Sequence, residues 1–273
     1  MGDISWNERK DKCWMMRPPV HSPMKNFLVR IAIRQGRVSE ERGELYFVPG
    51  QNHVPIVVMD SMGQHFERPP HAIYVVWHGA TMANLVKWVK THTLALKDRL
   101  PLPLKVIIVG GGNSLSSRLL THGKTGNDLA NPVISQITDL SLWCEASTIS
   151  LTVGSVLPRP ADHDEYKTKI FNVASLKRKI LSAALVKVNK FIKSLNKRNA
   201  AKQLPLHRFV CYCGKSEDSE VSYPKSKSKN RLYPGTTLYR IRLACFNNLD
   251  WVHLSAKGTK RVGDVLIKHV TPA

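Results

Sequence analysis

Four short stretches of this 273-residue chain combine the residue types that acyl transfer needs. Asp60-Ser61-Met62-Gly63 offers a hydroxyl nucleophile. His78-Gly79-Ala80-Thr81 and Gly110-Gly111-Gly112-Asn113-Ser114 offer backbone and side-chain amides. Asp250 and His253 stand three residues apart, so the carboxylate can hold one imidazole nitrogen while the other faces the serine. Nucleophile, base and orienter are defined by these roles rather than by chain order. The Ser61 amide, the Gly79 amide and the Asn113 side-chain amide are the candidate donors to a tetrahedral oxyanion. Taken singly, each stretch also has a plain structural reading. Asp60-Ser61 after a strand is a turn or helix cap, Gly79 permits a tight turn, and Asp250 with His253 is a helix entry and a surface histidine. Their placement along the chain decides between the readings.

That placement is set by short apolar runs. Val54–Met59, Ala72–Trp77, Lys105–Val109, Thr148–Val153 and Leu206–Cys211 are rich in Val and Ile, as strands buried on both faces are. Helical periodicity fills the intervals. Leu85, Trp88, Val89 and Leu96 share a face within Met82–Leu96, and Ile134, Ile137, Leu140 and Trp143 do so within Asn131–Cys144. The clearest helix is Ile170–Leu195, with Val173, Leu176, Ile180, Ala184, Val188, Phe191 and Leu195 at helical spacing. Strand alternating with helix predicts a three-layer α/β/α sandwich around a mostly parallel, five-stranded sheet. In such sheets ligands sit at the carboxyl ends of the strands, which is where the first three blocks fall. Residues 1–50 read as an irregular extension, residues 51–273 as the α/β domain, and about 214–231 (SYPKSKSKNR at its core) as a basic loop insertion.

With its blocks in this order, the sequence resembles the SGNH (GDSL-like) hydrolases. Members carry Ser in a Gly-Asp-Ser block, a Gly in a second, Asn in a Gly-x-Asn-Asp block, and Asp-x-x-His near the end. Here the blocks read VVMDSMGQHF, VVWHGATMANL, VIIVGGGNSL and DWVHLSAKG, and the resemblance runs over about residues 54–270. Leu157-Pro158-Arg159 and the VNKFIKSL stretch around Asn189 also resemble segments of such esterase-like domains. The resemblance implies a flavodoxin-like fold and a serine esterase without metal or nucleotide cofactor. It makes Ser61 the nucleophile, Gly79 and Asn113 partners of the Ser61 amide in the oxyanion hole, and Asp250 and His253 the rest of the triad. Divergent domains of this kind occur in some eukaryotic mobile-element proteins, which this chain resembles. Two positions depart from the pattern: Met59 replaces the glycine before Asp60, and Ser114 replaces the aspartate after Asn113.

Rival motifs fail on spacing. The third glycine of a dinucleotide fingerprint starting at Gly110 would fall on Leu115, and the first glycine of a phosphate loop ending Gly123-Lys124-Thr125 would fall on Arg118. Asp162-His163-Asp164-Glu165 reads as a solvated helix entry rather than a metal site, and Cys211-x-Cys213 lacks a second pair at zinc spacing. Five cysteines at irregular spacing describe no disulfide framework and point to a reducing compartment. The charged N-terminus is unlike a secretory leader, and no apolar run approaches the ~18 residues of a membrane span. The expectation is an intracellular protein, cytoplasmic or nuclear.

Charge carries the remaining signal. The chain has 41 Lys and Arg against 20 acidic residues, a formal net charge of +21. Eleven basic residues and no acid occur between Lys167 and Lys202, including Lys187, Lys190, Lys193 and Lys197. A field of this sign draws polyanions. The alternative to a small-ester hydrolase is therefore a degenerate module of the same fold that binds nucleic acid or an anionic surface without sequence specificity.

Overall fold

The computed structural model describes residues 21–117, 125–158, 176–210, 245–246 and 253–272. The sheet has six strands: β1 (His21–Arg34), β2 (Arg37–Phe47), β3 (Val54–Asp60), β4 (Ile73–Trp77), β5 (Leu104–Val109) and β6 (Ser150–Val153). Their spatial order is β2-β1-β4-β3-β5-β6. Every neighbouring pair is parallel except β1 with β2. The helices are α1 (Met82–Lys97), α2 (Gly112–Ser117), α3 (Gly126–Ala146), α4 (Leu176–Arg198), α5 (His207–Val210) and α6 (Ala256–Val270). No helix among the described residues is long and apolar enough to cross a membrane.

The strands alternate between two cores, as period-two side chains must. Ile56, Val58, Val75, Val106 and Ile108 face one layer, with Leu85 and Val89 of α1, Ile137 and Leu140 of α3, and Leu185 and Val188 of α4. Val57, Met59, Tyr74, Val76, Ile107 and Val109 face the other, with Val262 and Leu266 of α6. Both faces of β3 are covered, so all seven of its residues are buried. The three-layer sandwich is thus the consequence of strands that are apolar on both sides.

Two parts of the sheet differ from the sequence expectation. Residues 21–47, expected to be irregular, form a long hairpin whose β1 joins the sheet beside β4, pairing Arg30–Ile33 with Tyr74–Trp77. Leu206–Cys211, expected to be a strand, contributes the short helix α5 instead, and Cys211 lies outside the described residues. The parallel strands still number five, but the fifth is added at the opposite edge.

The edge left open at β6 is closed by side-chain amides. Asn196 of α4 accepts from the Val153 N–H at 3.1 Å and donates to its carbonyl at 2.8 Å. Asn189, two turns earlier, does the same for Val156 at 2.7 and 3.1 Å. Each carboxamide stands in for a peptide group, and the carbonyl of Leu204 takes the Ser155 N–H. Unpaired backbone groups at this buried edge would otherwise cost about 1–3 kcal/mol each. The basic insertion at about 214–231 and the Asp162–Glu165 cluster lie outside the described residues.

Candidate active site

Ser61 is the first residue of a one-turn helix, Ser61–Gly63, at the carboxyl end of the central strand β3. Asp60 caps that turn: its side chain accepts from the Met62 N–H at 3.0 Å and is itself fully buried. The plain reading of Asp60-Ser61 as a cap therefore applies, and the cap orients the serine. Met59, where the GDSL pattern has glycine, is accommodated by the glycine four residues on. A Cβ on Gly63 would stand 2.0 Å from the Met59 sulfur, so the absence of a side chain there makes the room.

His253 reaches Ser61 from across the molecule, with Nε2 3.2 Å from the serine Oγ. The serine is almost covered, whereas the imidazole is exposed, so the histidine forms the roof over the hydroxyl. Three backbone features hold that roof. Leu254 forms an antiparallel bridge to Phe246, and the Ser255 N–H donates to the Cys245 carbonyl at 3.0 Å. Ser255 then caps α6, accepting from the Gly258 N–H at 3.2 Å. Gly258 packs directly on the Cys245 carbonyl, where a Cβ would lie only 1.9 Å from the oxygen.

This contact makes a prediction. Gly258→Ala forces backbone against backbone, with no flexible side chain to yield, so the loss should approach about 3 kcal/mol. Because Cys245 also anchors Ser255, any residual folded protein should hold His253 off the serine. Urea denaturation checks the first effect, and reactivity of Ser61 at a denaturant concentration that keeps the variant folded checks the second.

The remaining candidate donors sit on either side of Ser61. Gly79 follows β4 and adopts φ +73°, a left-handed conformation that favours glycine, and it is exposed at the carboxyl end of the sheet. Asn113 opens α2 after β5, and its Nδ2 donates to the Ala80 carbonyl at 2.9 Å. Next to it, buried Ser114 accepts from the Met82 N–H at 2.6 Å, at the start of α1. The serine that replaces the family's aspartate thus still ties the β5 loop to the β4 loop. Asp250 lies outside the described residues.

Between the ends of β3, β5 and β6 lies a shallow crevice whose enclosed space is about 10 Å³, room for about one water. Asp60, Met62, Gly110, Gly112, Ser155 and Leu157 are among its walls. Ser155 was not singled out by sequence. It accepts from the His207 backbone N–H at 3.0 Å and contacts the ring Nδ1 at 2.7 Å. Burial pushes the His207 imidazole down to about 4, so this second Ser–His pair stays neutral and polar at the crevice wall. The only sequence signal for it was a serine just past a strand end.

Lys187, Lys190, Lys193 and Lys197 are all exposed on α4. Lys187 is tethered to α3, donating to Asn127 and Asn131 at 2.8 Å each.

No family model matches the chain, and no curated protein matches it in sequence. Solved structures do match in shape. A GDSL-like lipase from Bacteroides thetaiotaomicron aligns over 80% of this chain and 88% of its own, with a TM-score of 0.53 at 13% identity. A protein from Bacteroides fragilis assigned as an acylhydrolase aligns over 81% and 88%, with a TM-score of 0.51 at 15% identity. The mostly parallel sheet is common ground between shape and sequence blocks. The chain has the fold of the SGNH (GDSL-like) lipases and acylhydrolases.

Proposed function

We propose that the protein is a serine esterase that works through an acyl-enzyme. The observation that carries this reading is the 3.2 Å approach of His253 Nε2 to Ser61 Oγ, two residues 192 positions apart in sequence. The Ser61 hydroxyl gives its proton to Nε2 as Oγ bonds to the ester carbonyl carbon. The Ser61 and Gly79 amides and the Asn113 carboxamide hold the resulting oxyanion. The tetrahedral centre collapses, the carbon–alkoxy bond breaks, and His253 returns the proton to the departing alcohol. Water then attacks the acyl-serine with the same histidine as base, which releases the acid and restores the hydroxyl. Asp250, three residues before His253, is the carboxylate we assign to the other imidazole nitrogen. The acyl group is assigned to the side of the crevice between β3, β5 and β6, which would have to widen to take it. A fluorophosphonate, which reacts only with an activated serine, tests the assignment: modification should map to Ser61. Labelling spread evenly over several serines would argue against it.

A second reading rests on the exposed lysines of α4. In it the basic face also binds nucleic acid through phosphate contacts alone. Converting Lys187, Lys190, Lys193 and Lys197 to Gln should flatten the salt dependence of binding by about three to four units of log–log slope if all four touch phosphate. An unchanged slope would return α4 to being a solvated outer layer.

A further inference from the structure

The N-terminal hairpin does more than extend the sheet, because its tip lands at the mouth of the site. Ile33, Trp77 and Asp60 form one row across β1, β4 and β3. One residue further along each strand stand Arg34, His78 and Ser61. The row is fixed by the His78 N–H, which donates to the Ile33 carbonyl at 2.8 Å. Neighbouring strands lie about 4.8 Å apart, so Arg34 starts about 10 Å from Ser61, on the β4 side. Its partner across the turn is Arg37. Gln35 and Gly36 between them both have positive φ, 49° and 76°, the tight two-residue turn that holds hairpin strands in register.

The charges here are of one sign. Arg34 and Arg37 are exposed, and neither makes an ion pair among the described residues, although Arg30 and Arg42 further down the hairpin pair with Glu41 and Glu40. After burial, the groups that hold the His78 imidazole below its ordinary value are Arg34, His253, His65 and Arg30, all cationic or able to become so. His253, over Ser61, and Arg34 thus both act on His78, which stands between Ser61 and Arg34 in the row, so the β4 side of Ser61 adjoins both.

Chemistry assigns that side. In ester cleavage the histidine protonates the departing alcohol, so the alcohol lies beside His253 and the acyl group lies away from it. The crevice toward β5 and β6 is on the far side of Ser61 from the hairpin. We infer that the hairpin tip, with Arg34 as its fixed charge, is a recognition subsite for a negatively charged group on the alcohol part of the ester. The inference rests on the esterase reading above. It makes Arg34 a specificity residue and narrows the substrate class to esters of anionic alcohols.

The experiment compares two esters of matched shape, 4-acetoxybenzenesulfonate and the neutral 4-acetoxybenzenesulfonamide, in the full chain. The native protein should favour the sulfonate in kcat/KM relative to the sulfonamide. Arg34→Glu should cut that preference about tenfold, a two-charge change acting across a partly solvated site, and Arg34→Gln by about threefold. Lys268→Glu, the same charge change near the far end of α6, should leave the preference within twofold. Equal effects of Arg34→Glu and Lys268→Glu would overturn the subsite, because only net charge would then matter. A native protein that turned over neither ester would defeat the esterase reading instead. The subsite is then decided by phenyl phosphate, titrated while the ring protons of His78 are followed by NMR. Saturable shifts that weaken in Arg34→Glu support it, and none at millimolar ligand overturns it.

Discussion

Ser61→Ala should abolish fluorophosphonate labelling and lower ester turnover on the order of 10,000-fold or more, with KM little changed. The size follows from the division of labour in the site. In the proposed mechanism the hydroxyl forms the bond that defines the acyl-enzyme, so its removal would delete the pathway rather than weaken one contact. Oxyanion donors and the crevice remain, and they leave only the modest rate that binding and polarisation can supply without a nucleophile. The substitution should be nearly silent in stability. Ser61 sits at the first position of a turn whose cap is Asp60, and alanine keeps that backbone. His253→Ala should cost about as much as Ser61→Ala, and the double variant no more than either. Residues that act as a unit fail together. Kinetics of the three variants on one ester decide this. Losses that multiplied in the double variant would show that Ser61 and His253 act separately.

The parts of this molecule that could be read from sequence are those where burial is two-sided. In β3, β4 and β5 both faces are covered, so runs such as Val54–Met59 are apolar without interruption and their carboxyl ends could be located to within a residue. Ser61, Gly79 and Asn113 follow at those ends, and the sheet brings the three loops side by side. His253 was legible only through its spacing from Asp250, since nothing local in sequence shows that it folds over a serine 192 residues away.

The hairpin escaped for the opposite reason. β2 is an edge strand, exposed from Arg37 to Arg42 and rich in charge, as edges that avoid pairing with other chains are. Its turn is Gln35-Gly36 where Asn-Gly or Asp-Gly would have been the recognisable signal. β1 is bulged along much of its pairing with β2, which breaks the two-residue alternation. At the other edge, Leu206–Cys211 has strand-like composition, yet the backbone groups it would have paired are already taken by Asn189, Asn196 and Leu204. The signal there lay in α4. Two asparagines seven residues apart stand on the face that also carries Val188, Ile192 and Leu195, so polar side chains were buried where only apolar ones were expected. Arg34, the residue proposed to recognise the alcohol, belongs to this illegible hairpin, whereas His78 beside it follows β4, in a block that the sequence singles out.

Acidification should unfold the protein between about pH 6.5 and pH 4, well before its carboxylates are protonated. Among the described residues, His71 and His269 are buried and His207 is half-buried, and all three are held toward the neutral form. His71, in the loop before β4, faces the end of α6, and burial lowers its imidazole to about 4 against a weaker opposing hydrogen bond to the Val270 backbone. His269 is lowered to about 4 by burial, then by Lys105 and Lys202. His207 is lowered to about 4 by burial, then by Arg208. In the unfolded chain each would titrate near 6.5. Above that value both states are neutral and the histidines leave stability untouched. Below it the unfolded chain binds protons that the folded chain refuses, so stability falls with decreasing pH until the folded values are reached. A shift of this size is worth roughly 3 kcal/mol per histidine, and three together rival the 5–15 kcal/mol that holds a typical domain folded. Partly exposed His53 and His78 are lowered in the same direction and add a smaller share. Urea midpoints measured from pH 7.5 to pH 4.5 should therefore fall steeply, approaching three protons per molecule in slope, and His269→Gln should remove about one of them. A midpoint flat from pH 7 to pH 5 would contradict the buried neutral state.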